Sequence, residues 1–436
     1  MLVVLGVLAL IVALIGLGAS PVLPTVRAAM LAVVVLVAAV ALPASLIAVA
    51  GVVLAAACIV DAVFGRVRPV ARRDAPPNLV RGVPTPLRVS LTGEGPGTVR
   101  IRQPRAAEIT VEPPEADTEL DARVVAARRG RHALGAVALR CTGPLGLTAW
   151  YRTVGEMHPV TVLPDVPGAR KLATAVRQGK FRDAGDLTRG PLGLGTDFES
   201  IRDYLPDDDI RQVNWRATQR LGRPMSNQYR IEQDRTVIGL LDTGRLMAAP
   251  IGMHTRLDLA LDAFVAVAFV ADEVGDRAGV IAFSDTVERN LPPRRRGAEA
   301  IVRAVYDIEP KLTDAAYDVA FQAVGAGKRA LVMIFTDLLD EATATELLDA
   351  IPVLARRHAV MVVSVVDPDL EDLVRTEPTE PLQVYRAAAA LDVLAPRAPL
   401  RARLERLGAI VAEAPPEGLA EVAVRAYLRA KLRARL

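Results

Sequence analysis

Hydrophobic and polar positions follow three successive rhythms along this chain. The first is uninterrupted: no charged residue occurs from Leu2 to Ala19, none again from Ala28 to Val60, and Arg27 is the single charge between the two runs. Each run reaches the length of about 18 apolar residues that lets a helix cross a bilayer. The second run, 33 residues, would extend roughly 50 Å as one helix, beyond the roughly 30 Å of the hydrocarbon layer. It must bend or turn, and Pro43, which lacks an N–H and crowds the preceding turn, is the natural place. One kinked span with an interfacial extension and two short spans both fit, the former being preferred. A secretory leader would open on basic residues, whereas this chain opens Met1-Leu2-Val3-Val4, so the first run is also read as a span. Residues 1–65 are therefore expected to form transmembrane segments, arranged as a helical hairpin.

Arg66, Arg68, Arg72 and Arg73 follow the second run at once, against the lone Arg27 before it. The positive-inside bias then places everything after residue 65 in the cytoplasm, making this a multi-pass protein of the cell membrane with cytoplasmic soluble domains. Pro76, Pro77, Pro84 and Pro86, with Gly82, mark 66–86 as a linker. The second rhythm is short alternation: Leu87–Leu91, Thr98–Arg102, Ile109–Glu112, Leu120–Ala126, Ala136–Cys141 and Val160–Leu163, separated by Gly, Pro and charged turns. It predicts a small antiparallel β-sandwich over 87–166. After a connector, 167–235, the third rhythm sets apolar strands (Thr236–Leu241, Ala278–Phe283, Ala330–Phe335, Ala359–Val366, Ala409–Ala412) against helices (Arg256–Val274, Ala298–Tyr306, Asp314–Val324, Glu341–Arg356, Leu419–Arg433). That alternation predicts an α/β fold, a doubly wound parallel sheet over 236–436.

Composition agrees with several units and an anchor. The 436 residues exceed one ordinary core, and a hydrophobic share of 51% is high for a soluble chain. Lys and Arg number 53 against 50 Asp and Glu, a balance of +3 that makes no case for nucleic acid. Two cysteines, Cys58 and Cys141, exclude a disulfide framework and fit a reducing compartment. His132, His158, His254 and His358 show no metal-ligand spacing.

The densest constellation lies at 198–223, with Arg202, Tyr204, Asp207, Asp208, Asp209, Arg211, Asn214, Trp215 and Arg220. Planar guanidinium groups among carboxylates suit bidentate pairing, and a Trp face accepts a stacked Arg. Two readings stand: an internal polar clasp fixing the connector to the last domain, and a surface that contacts a partner. Here the chain resembles the bacterial domain-of-unknown-function-58 proteins, through Phe198, Arg202, Tyr204, Pro206, Asp208, Asp209, Arg211, Asn214 and Trp215, with Asp207 where Gly is usual. Arg129-Gly130-Arg131-His132 and Gly143-Pro144-Leu145-Gly146-Leu147 look like that family's sandwich motifs, with Gly143 replacing the usual Asp. The resemblance implies a helical hairpin, a sandwich and a von Willebrand factor A-like domain, commonly encoded beside a MoxR-type AAA+ ATPase.

The metal site of such domains takes Asp-x-Ser-x-Ser, a later Thr and a further Asp, all hard oxygen ligands for Mg²⁺. Asp242, Thr313 and Asp337 occupy those places, but Gly244 and Leu246 stand where the serines belong, so only a degenerate site is legible and no cofactor is expected. Strand-end polarity and helix capping are the plain alternative for the acids. Enzyme signatures fail. Gly325-Ala326-Gly327-Lys328 resembles a phosphate loop but is followed by Arg329 and precedes a strand. The basic clusters Arg294-Arg295-Arg296 and Arg425, Arg429, Lys431, Arg433, Arg435 read as solvated faces, or as contacts to anionic lipid. The expected function is a membrane-anchored adaptor that binds a protein partner, an AAA+ ATPase by the resemblance, with Asp242 and Asp337 forming an acidic crevice for a partner's cation. A metal-dependent hydrolase using the same acids is the alternative. An extracellular adhesion module is opposed by the arginines after the apolar run.

Overall fold

A computed structural model describes residues 22–66, 69–93, 95–180, 197–205, 208, 210–230, 235–325, 327–338 and 344–432, with residues 197–199, 211 and 228–230 described by their backbone. The first apolar run, Leu2 to Ala19, lies outside them. The chain divides into two compact units, 1–162 and 163–436.

In the first unit the second apolar run breaks at Pro43 into two helices, α1 (Val26–Ala38) and α2 (Ala44–Phe64). The five residues between them make the break wider than the kink expected. Thr25 caps α1 with its side chain, and Pro43, at the N-cap of α2, sits where its missing N–H costs nothing. Among the described residues one helix, α2, is long and apolar enough to cross a membrane. The 13 residues of α1 reach only roughly 20 Å.

The sandwich strands form antiparallel sheets in which alternate residues go inward. Thr85–Thr92 pairs with Glu119–Ala126, burying Leu87, Val89, Leu120, Ala122 and Val124. Val137–Thr142 pairs with Thr98–Arg102 and Thr148–Val154, adding Ile101, Leu139 and Trp150 to the same core. The segment expected as a linker is partly sandwich: Val70–Asp74 pairs with Thr85–Thr92, and Asn78–Val80 joins the sheet of His158–Leu163. The prolines punctuate turns between short strands here, a use that composition alone does not separate from a linker.

The second unit opens with α3 (Val166–Arg177), whose Ala169 and Ala173 are buried in the unit's core, so its N-terminal part is no mere connector. A two-stranded antiparallel hairpin follows, β1 (Asp197–Asp203) with β2 (Met225–Arg230), enclosing the short helix α4 (Trp215–Leu221). The main sheet comprises β3 (Thr236–Asp242), β4 (Arg277–Phe283), β5 (Val287–Arg295), β6 (Leu331–Phe335), β7 (Ala359–Val365) and β8 (Ile410–Ala414). Its order is β5-β4-β3-β6-β7-β8, all parallel except the edge strand β5. Arg294 and Arg295 therefore belong to an edge strand that the apolar rhythm does not predict.

Helices cover both faces of that sheet, as near-continuous apolar strands require. On one lie α5 (Arg256–Glu273), α6 (Ala298–Val305) and α12 (Leu419–Leu432); on the other α7 (Tyr317–Val324), α8 (Thr345–Ala355) and α11 (Arg397–Arg406). Two further helices, α9 (Pro368–Arg375) and α10 (Pro381–Leu394), stand between β7 and α11; no residue of α9 and only Ala390 of α10 is buried. In α12, Lys431 is no solvated cation: it is buried, with Nζ 2.8 Å from both carboxylate oxygens of Asp276, to which Tyr427 also donates.

Candidate functional site

Two places collect the residues singled out by sequence. The first is the hairpin. Arg202 donates two parallel hydrogen bonds to Asp208, at 2.8 and 2.6 Å, the fork geometry that makes such pairs strong. The Asp208 carboxylate also accepts from the Leu205 N–H at 2.9 Å, and Tyr204 Oη donates to the Asp208 carbonyl at 3.0 Å. Asn214 caps α4 by accepting from the Ala217 N–H at 2.9 Å and holds Asn227 on β2 at 2.8 Å. Gly222, with φ of 66°, ends α4 in the left-handed region. Asp207 and Asp209 lie outside the described residues, as does the Arg211 side chain.

These polar bonds fold the hairpin on itself, and the apolar side chains are left outside. Trp215 is 68% exposed, and Ile201, Leu205, Ile210 and Leu221 are exposed with it. Arg216 and Arg220 stand exposed on the same helix. Arg202 and Asp208 thus pair within the hairpin itself, and the Trp215 ring is exposed.

The second place is the carboxyl edge of the main sheet, where β3 ends in Asp242 and the chain leaves β6 through Thr336 and Asp337. Asp242 is buried, and its oxygens accept from the Gly244 N–H at 2.7 Å, Thr336 Oγ1 at 2.6 Å and Tyr317 Oη at 3.2 Å. Burial pushes this carboxyl up from its ordinary value, opposed by those hydrogen bonds; burial likewise holds Tyr317 well above its own. A cleft of about 340 Å³ opens beside them, lined by Asp242, Gly244, Arg245, Leu246, Asp314 and Tyr317. Thr313 closes against the β3 loop through its carbonyl, which accepts from the Arg245 N–H at 2.9 Å, while its Oγ1 is enclosed without a hydrogen bond.

Asp337 is turned to a different partner set. Its Oδ1 accepts from Arg256 Nη1 at 2.7 Å and from Arg397 Nη2 at 2.9 Å, and all three side chains are buried. Asp367 lies 3.9 Å from Arg256, and Glu413 lies 3.5 Å from Arg401. Burial raises the Asp337 and Glu413 carboxyls and lowers the Arg256 guanidinium, with the opposite charges working against each shift.

The edge therefore gathers Asp242, Thr313 and Asp337, as the metal-site pattern implied, but these residues do not fit a bound divalent ion. One acid is held by three neutral donors and the other by two guanidinium groups, and among the described residues no cluster of three or more His, Cys, Asp or Glu could hold a metal. Of the two acids expected to receive a partner's cation together, Asp337 already holds two cations of the chain's own, whereas Asp242 lines the open cleft and is held by neutral donors only. Sequence reading missed Arg256 and Arg397, which lie 81 and 60 residues from Asp337 and carry no motif.

It also missed Asp61, at the end of α2. This buried carboxylate accepts from the N–H groups of Leu145, Leu147 and Thr148 at 2.6, 2.8 and 2.7 Å, and from Thr148 Oγ1 at 2.9 Å. Trp150 Nε1 donates to the Ala62 carbonyl at 3.0 Å, and Arg66 lies 5.6 Å from the Trp150 ring centroid. The one available signal was a single acid directly after 33 uncharged residues.

Residues 200–383 match the family described as a protein of unknown function, DUF58. Uncharacterized proteins of Mycobacterium tuberculosis and Mycobacterium bovis are 26% identical to the chain over 227 residues, covering 49% of this chain and 70% of theirs. The matched family region contains most of the hairpin, Asp242, Arg256, Thr313 and Asp337, and stops short of Arg397.

Proposed function

We propose that this chain is a membrane-tethered adaptor, with its soluble units on the cytoplasmic side and a protein partner bound on the hairpin's exposed face. The observation that carries the reading is the Trp215 ring, 68% exposed on a module whose own fold is held by polar bonds. Folding of the hairpin leaves that ring unused. A Trp anchor among aliphatic side chains and arginines is also the composition that dominates binding energy at protein interfaces. The resemblance supplies the rest of the proposal: an N-terminal helical hairpin as anchor, a von Willebrand factor A-like unit over 236–436, and a MoxR-type AAA+ ATPase as partner. The hydrolase alternative is weakened at Asp337, one of the two acids it would use, because two guanidinium groups of the chain already engage it.

The test is the double variant Trp215→Ala with Ile210→Ala in the full chain. Stability should stay within about 1 kcal/mol of the parent, as for exposed positions, while co-purification with the ATPase is lost. Binding retained by the folded variant rejects the surface. Absence of any AAA+ ATPase from cross-linked membranes rejects the partner.

A further inference from the structure

We infer that Arg256 and Arg397 are the resident cations of the sheet's carboxyl edge, standing in for a divalent ion, and that Arg397 locks the helical segment α9–α10 to that edge. Three observations converge on it. The first is occupancy: both guanidinium groups bond the same Asp337 oxygen, at 2.7 and 2.9 Å, inside a buried cluster. A hard divalent ion takes six or more oxygen ligands, and two fixed positive charges at one of those oxygens would repel it.

The second is balance. Arg256, Arg397 and Arg401 face Asp337, Asp367 and Glu413 from α5, α11, the ends of β6 and β7, and β8, three cations against three acids. Enclosed N–H groups remain to spare, Arg256 Nε and Arg397 Nε and Nη1, so the cluster is short of acceptors and an added cation would need more of them still.

The third is placement. Asp367, the N-cap of α9, and Arg397, the first residue of α11, are the two roots of the segment that carries α9 and α10. One root faces Arg256 and the other grips Asp337. With almost none of α9 and α10 buried, those root contacts set where the segment stands.

The experiment uses the full chain in detergent with two readouts, Mn²⁺-dependent melting and hydrogen exchange. The parent should show no change in melting temperature with millimolar Mn²⁺; a response that Asp337→Asn abolishes would overturn the cation assignment. Arg397→Met keeps an apolar stem and removes the charge. It should speed exchange across 368–395 by at least about tenfold while β3 and β4 stay slow, because local opening follows lost local contacts. Should that variant fail to fold, Arg397→Lys keeps the charge without the fork, and its exchange over the same residues should also rise. Unchanged exchange in the folded variant overturns the lock.

Discussion

Asp242 and Asp337 end the same kind of strand and face the same problem, a carboxylate taken out of water, and the chain solves it twice in different chemistry. Asp242 is held by neutral donors, so its charge is solvated but not cancelled; Asp337 is cancelled by guanidinium. A carboxyl whose folded value is raised contributes stability that is complete below its ordinary value, about 3.9, and is lost as pH rises through the raised one. Asp242 therefore weakens the fold progressively above about pH 4. Asp242→Asn should cost about 1 kcal/mol at every pH, because its NH2 cannot accept from Thr336 and Tyr317 as Oδ2 does, yet gain on the parent as pH rises. Chemical denaturation between about pH 4 and 7 would read that difference, and a variant exactly parallel to the parent across the window contradicts it. The sequence placed both acids at strand ends because apolar runs terminate there. It could not show that one was neutralised, since an ion pair between residues far apart in the chain leaves no periodic trace.

At the scale of elements, the junction of α2 with the sandwich loop rests on close approach. A Cβ at Gly143 would stand 2.4 Å from the Asp61 carboxylate, which is pinned by four donors. Gly143→Ala should thus lower stability by about 1–3 kcal/mol, the usual cost of forcing volume into a packed site, read by thermal melting in detergent; an unchanged melting temperature would mean that the loop yields freely. The need for a glycine at 143 was not legible in sequence, because the carboxylate that needs the space lies on another element. The strands and helices of the main sheet were legible from their two periods. The hairpin pairing, β5, and helices α9 to α11 were not: β5 carries three arginines and two prolines in place of an apolar run, and α10 is apolar around most of its surface without being buried.

For the whole molecule, the expected sidedness rests on arginines that the fold also employs. Arg66 stacks on Trp150, and Arg73 donates to the carbonyls of Leu134 and Gly135, so part of the basic cluster has a structural use besides the sidedness expected of it. Charge bias acts during insertion regardless of later contacts. A phosphatase active only outside the cytoplasm, fused after residue 436, should be inactive, and activity there would reverse the topology. The two-unit plan was readable from the change of rhythm; the misplaced boundary at the prolines was not, because short strands and linkers share their punctuation. Asp61 adds a temporal order to this architecture. Its donors lie 84 to 87 residues further along, so on the ribosome the acid that ends α2 emerges well before anything exists to receive it. Until that loop is synthesised the carboxylate has none of these donors, and the sandwich later closes over a helix end already made.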